Sequence, residues 1–153
     1  MNLTDALPIL LAEATDWVDS LARDALAHGR ALDPAEIRLA HCVGVRAPER
    51  IRVLEVDDFP LPTQPVLLAA AHAHGLLGAA TRGLTAGHAV LVRRGEVGTR
   101  LLRHEFRHVQ QYEVAGSTRA FLAGYLAQVM MYGYRDAPLE IDARACEISD
   151  PQR

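Results

Sequence analysis

His104, Glu105 and His108 stand in the order H-E-x-x-H within the stretch RLLRHEFRHVQQYE, residues 100–113. An α-helix turns about 100° per residue, so positions four apart lie one turn above each other on one face. Both imidazoles can therefore reach a single metal ion. Two imidazole nitrogens at about 2.0–2.1 Å and a third protein ligand complete a zinc site whose fourth tetrahedral position is open to water. Glu105, beside the first histidine, is then positioned to take a proton from that water and return it to a leaving group. Zinc lowers the pKa of such a water from 15.7 to about 7.

The third ligand has to come from another element, and Glu140 is the first choice. It lies two residues after Pro138 in a final helix, PLEIDARACEIS, that an αα-hairpin can bring back beside the motif helix. Asp142, Asp136 and Glu147 are substitutes on the same kind of argument. Without a metal, Glu140 reads as a carboxylate favoured by the dipole of a helix N-terminus. Gln111, seven residues after His104 on the same side, is a candidate to support the ligands from behind rather than to bind the metal. Tyr132, Tyr134 and Arg144 are candidates for stabilising a developing oxyanion.

These residues need elements to hold them. Leu7, Leu11, Ala14, Val18, Leu21 and Ala25 recur at steps of three and four, which predicts an amphipathic helix capped by Asp5 and stopped at Gly29. Asp33, Pro34 and Glu36 form a capping-box start to a second helix. IRVLEV, residues 51–56, reads as a strand, and VLLAAAHAH after Pro65 as a buried helix. Residues 81–85 and 88–93 read as a hairpin through Ala86-Gly87. The segment His88–Arg93 offers either a free edge to an extended peptide or an ordinary edge strand guarded by Arg93 and Arg94. A helix from Thr99 to Val114 carries the motif, with Leu102, Phe106 and Val109 as the stripe that anchors it. Another follows from Ser117 to Met131, with Tyr125 on its apolar side. Together these give an α+β fold, mostly helical, with a small sheet packed on the H-E-x-x-H helix.

The 153 residues suit one domain, 1–153, in which residues 1–50 form an N-terminal helical part. A net charge of −3 with half the residues hydrophobic argues against nucleic acid as a partner. No stretch approaches the roughly 18 uncharged apolar residues of a membrane span. The N-terminus carries acids and no basic region, so no signal peptide is expected and the location is read as cytoplasmic. Cys42 and Cys146, far apart and without C-x-x-C spacing, read as reduced, buried thiols. His72 and His74, two apart on a helix, cannot share a metal from it. The arginines at 93, 94, 100, 103 and 107 either draw acidic groups toward the motif or form a solvated, ion-paired face. Trp17 and the first helix cover the core of their own domain or offer a surface to a partner.

With H-E-F-R-H at 104–108 and P-L-E-I-D-A-R at 138–144, the chain resembles the zincin superfamily of metallohydrolases, in particular the gluzincin type. The order IRVLEV, helix, GLTAGHAVLV, LLRHEFRHVQQ also resembles small bacterial HExxH domains in which H-E-x-x-H-x-x-Q recurs. The resemblance covers residues 51–147. It implies a zincin-like fold, one zinc ion per chain held by His104, His108 and Glu140, and Glu105 as general acid and base. Larger gluzincin peptidases often show E-x-x-x-D, whose aspartate orients a histidine ligand, whereas here that place holds Arg144. A zinc-dependent hydrolase acting on a peptide or protein substrate is the leading expectation. The alternatives are a zincin-fold metal-binding or regulatory domain without turnover, and a helical interaction module that carries the motif by chance.

Overall fold

The computed structural model describes residues 3–148. Its elements run α1 (Leu3–His28), β1 (Arg30–Ala31), α2 (Pro34–Cys42), β2 (Arg52–Val56), α3 (Pro65–Ala73), β3 (Gly83–Ala86), β4 (Ala89–Arg93), α4 (Thr99–Ala115), α5 (Thr118–Tyr132) and α6 (Pro138–Ala145). This is the expected α+β class. Ser149, the last residue of the expected final helix, lies outside the described residues, as do residues 1, 2 and 150–153.

The four strands are ordered β1-β2-β4-β3, with β2 and β4 parallel and the outer pairs antiparallel. β4 is thus interior, and the expectation that His88–Arg93 forms an edge is wrong. Its first four residues read A-V-L-V, all apolar and buried, as a strand covered on both faces should be. Ala89 and Leu91 pack with α1 and α5, while Val90 and Val92 face Leu102, Phe106 and Val109 of α4. β3 is the true edge on the motif side. The parallel β2–β4 pair is what puts it there, because the chain crosses through α3 and then returns antiparallel along β4.

α2 begins with the anticipated capping box: the Glu36 N–H donates to Asp33 at 2.8 Å and the Asp33 N–H to Glu36 at 3.0 Å. α1 starts earlier than expected, at Leu3, so Asp5 and Pro8 lie within it. Pro8, the sixth residue of the helix, lies past the first turn and removes the hydrogen bond that an N–H there would give to the Thr4 carbonyl. α3 buries only Leu67 and Ala71, not its whole circumference, and Val66 is half exposed. The thiols also depart from expectation: Cys42 is exposed and Cys146 half-buried, both free. Among the described residues, no helix is long and apolar enough to cross a membrane.

Candidate metal centre

α4 is the scaffold of the site. Its apolar stripe, with Phe106 and Val109 fully buried, packs on β4 and α2 and fixes the helix about its own axis. His104, Glu105, His108 and Gln111 are thereby turned to an adjoining buried side. Gly116, left-handed at φ 88°, ends α4, and Ser117 caps α5 by accepting from the Ala120 N–H at 3.1 Å. α5 in turn places α6. The Gln128 side chain accepts the otherwise unpaired Leu139 N–H at 2.9 Å, and Gln111 of α4 donates to the Leu139 carbonyl at 3.0 Å. Leu139 is clamped on both backbone groups, and its neighbour Glu140 is held against α4.

The result is a cluster in which His104, His108 and Glu140 each turn one donor atom inward, all within 4.8 Å of one another. The two Nε2 atoms are 3.2 Å apart, and each lies 3.2 Å from one oxygen of Glu140. Ligands at 2.0–2.1 Å around a tetrahedral zinc stand about 3.3 Å from each other, so the spacing suits such an ion. Glu140 is 2 % exposed, and its Oε2, although near His104, receives no hydrogen bond of acceptable geometry. A buried carboxylate oxygen without a donor calls for a cation.

The far side of each imidazole strengthens the case. His108 Nδ1 meets Gln111 Oε1 at 2.8 Å, and the Gln111 amide nitrogen donates to the Leu139 carbonyl and to Asp142 at 2.8 Å. Gln111 therefore turns its oxygen to His108, so Nδ1 carries the proton and Nε2 a lone pair. His104 Nδ1 meets Glu147 at 2.9 Å, and Glu147 is held by Arg100 at 2.7 Å. Acceptors behind both rings that leave both Nε2 lone pairs converging are the usual support of a metal-binding histidine. Glu147 takes up this role from seven residues beyond Glu140; the position four beyond, Arg144, points away and donates to the Arg135 carbonyl.

Without a metal, these groups share charge instead. Burial opposes a proton on either imidazole, but the Glu140 carboxylate outweighs it, raising His104 and pushing His108 up to about 9. Burial likewise opposes charge on Glu140, yet His104, His108 and Tyr125 together hold it well below the usual carboxylate range. Tyr125 donates to Glu140 Oε1 at 2.8 Å. It stood in the sequence only as an apolar helix residue, and nothing there marked its hydroxyl.

Glu105 is buried beside the cluster. Its Oε2 accepts from Thr85 Oγ1 at 2.7 Å, and its Oε1 lies over Gly83, where an added Cβ would come within 2.5 Å. Edge strand β3 thus holds the carboxylate in a slot that only glycine leaves open. All of these groups line one cavity of about 280 Å³. Comparison with family models, curated proteins and solved structures returned no match. The functional reading therefore rests on this chemistry alone.

The other candidates separate clearly. Tyr134 reaches the cavity wall, and partial burial with Glu140 and Glu105 nearby raises its pKa, which keeps the phenol a donor. Tyr132 is 53 % exposed on the outside of α5, and Arg144 is engaged elsewhere. Asp142 pairs with Arg107 at 2.7 Å and with Gln111, one layer behind the His104, His108 and Glu140 cluster, and Asp136 is exposed. The five arginines near the motif are engaged: Arg93 and Arg94 with Asp57, Arg100 with Glu147, Arg103 with the Cys146 carbonyl, Arg107 with Asp142. They tie α4 and β4 to other elements, through carboxylates and backbone carbonyls, instead of forming the expected ion pairs within one solvated helix face, and none lines the cavity. His72 is exposed; His74 and Trp17 line the cavity far along the chain from the ligands.

Proposed function

We propose that the chain is a zinc-dependent hydrolase of the metallopeptidase kind, related in design to the gluzincins. His104, His108 and Glu140 would hold the ion, and Glu105 would serve as general base. The observation that carries this reading is the combination of two Nε2 atoms 3.2 Å apart, each 3.2 Å from an oxygen of the buried Glu140 carboxylate, with acceptors fixed behind both imidazoles. A structural accident would not require both.

Bound zinc would supply a water of lowered pKa and a Lewis acid for the substrate carbonyl. Glu105 takes the proton from the attacking water and delivers it to the leaving group, with Thr85 steadying one oxygen while the other is free to move the proton. Tyr134 is the side chain best situated to donate to the oxygen that gains charge. Gln111 and Glu147 keep the imidazoles in the ligating tautomer.

Metal analysis of the chain purified without chelators tests the reading. About one zinc per chain is expected, lost in His108→Ala and Glu140→Ala. Glu105→Gln should keep the metal and lose hydrolysis in a peptide library. A metal-free wild type removes the proposal, and metal without Glu105-dependent cleavage leaves a binding module in its place.

A further inference from the structure

We propose that the cavity beside the metal cluster takes an unbranched aliphatic acyl chain, so that the bond brought to Glu105 is the amide of a medium-chain carboxylic acid. The chemistry rests on the hydrolase reading above; the binding does not. Away from His104, His108, Glu140, Glu105 and Tyr134, the walls come chiefly from apolar faces of α1, α3 and α5, among them Leu10, Trp17, Leu67, Ala70, Leu122 and Leu126. The volume of about 280 Å³ is at the lower limit of the roughly 300–1,000 Å³ typical of small-molecule sites.

Among the cavity walls, a strand edge that a peptide could pair with is found only along β3, at Gly83–Thr85. Beyond it the helical walls satisfy their own N–H and C=O groups, so amides lying among them would be buried without partners. No arginine is among the residues lining it, so it offers no guanidinium to a terminal carboxylate or acidic side chain. A hydrocarbon needs neither. Small residues create the room: Ala6 and Ala14 on α1 and Ala70 and Ala71 on α3 all line the cavity. The segment after α3 adds Leu76 and Leu77, and Leu77 is held at φ 58°, a conformation rare for a residue other than glycine.

The ligand that matches a polar end and an apolar barrel is an amphiphile with its carbonyl at one end. In the reaction, the oxygen of water bonds to the acyl carbon and the C–N bond breaks. Glu105 carries the proton from water to the departing nitrogen, giving the free acid and an amine.

Trp17, the one tryptophan of the chain, lines the cavity and reports on its filling. Titration of the full chain with hexanoate, octanoate and decanoate, followed by Trp17 emission, should saturate at one acid per chain. Affinity should rise about fourfold per methylene, the equivalent of about 0.8 kcal/mol for each buried CH₂. Ala70→Phe, and independently Ala14→Leu on α1, should weaken decanoate at least tenfold while circular dichroism stays native. Affinity indifferent to chain length, or decanoate binding unchanged in both filled variants, overturns the proposal. So does cleavage of unacylated peptides by a chain that binds no decanoate, which would leave the hydrolase reading intact. Chain-length-dependent binding that persists in metal-free His108→Ala supports the cavity assignment even where hydrolysis fails.

Discussion

Replacing Gln111 by leucine tests how the chain prepares its imidazoles for a metal. The side chain makes three hydrogen bonds of 2.8–3.0 Å, to His108 Nδ1, the Leu139 carbonyl and Asp142. Leucine fills much of the space and makes none of them. His108 is then free to change tautomer or rotate, and loss of such a partner typically weakens metal binding by about 10–100-fold. That is about 1.4–2.7 kcal/mol of binding free energy. The metal-free fold also suffers, because the buried Leu139 carbonyl and the His108 N–H lose their partners, at about 1–3 kcal/mol each at most. For a chain of this size each kcal/mol lowers Tm by about 2–4 °C. Zinc affinity measured by competition with a chromophoric chelator, alongside thermal unfolding of the metal-free chain, separates the two effects. A core variant of similar Tm, such as Leu122→Ala, supplies the control and should keep wild-type affinity. If Gln111→Leu binds zinc as tightly as the wild type, the role given to the carboxamide is wrong.

Four other outcomes are expected. Gly83→Ala must push the Glu105 carboxylate aside, since the new Cβ would lie 2.5 Å from Oε1 and 2.8 Å from Cδ; zinc content should be unchanged while hydrolysis falls by about 100-fold, the usual scale for a misplaced reacting group. Zinc binding at pH 7 should release at least one proton, read as a dependence of calorimetric heat on buffer ionisation, because His108 in the metal-free chain is raised to about 9, His104 is raised as well, and both give up their protons when the metal binds. For the same reason the stabilisation from protonated His108 is fully present below about pH 6.5 and is lost as pH climbs through about 9, so Tm of the metal-free chain should fall across that window. Phe106→Ala, at a fully buried position of the α4 stripe, should cost about 3–5 kcal/mol in denaturant unfolding.

Helical period made much of this legible. His104, His108 and the stripe through Leu102, Phe106 and Val109 are set by geometry within one helix, and Glu140 by a proline start two residues before it. Glu147 was harder to assign as a support because it lies in the turn after α6, where no periodicity says which way a side chain faces. The strand order was hidden too. His88–Arg93 reads as an edge when judged by its flanking arginines, although its apolar run A-V-L-V is that of a covered strand, and its parallel partner is more than thirty residues earlier. The cavity left no trace, since Leu10, Ala14 and Val18 follow the same rule whether they seal a core or line a space. Tyr125 shows the same limit: one side chain serves both the apolar face and Glu140.

The clamp on Leu139 has a consequence for the order of assembly. Gln111, Gln128 and Leu139, with the three ligands, all fall within residues 104–140 on α4, α5 and α6. The cavity walls, by contrast, need α1, whose partner α5 is about a hundred residues away along the chain. Contacts of short sequence separation form faster than distant ones. During refolding of the full chain the carboxy-terminal helices can thus gather their donors while the amino-terminal helix is still searching. Metal capture would precede closure of the chamber, and the ion would act as a staple on a half-built protein.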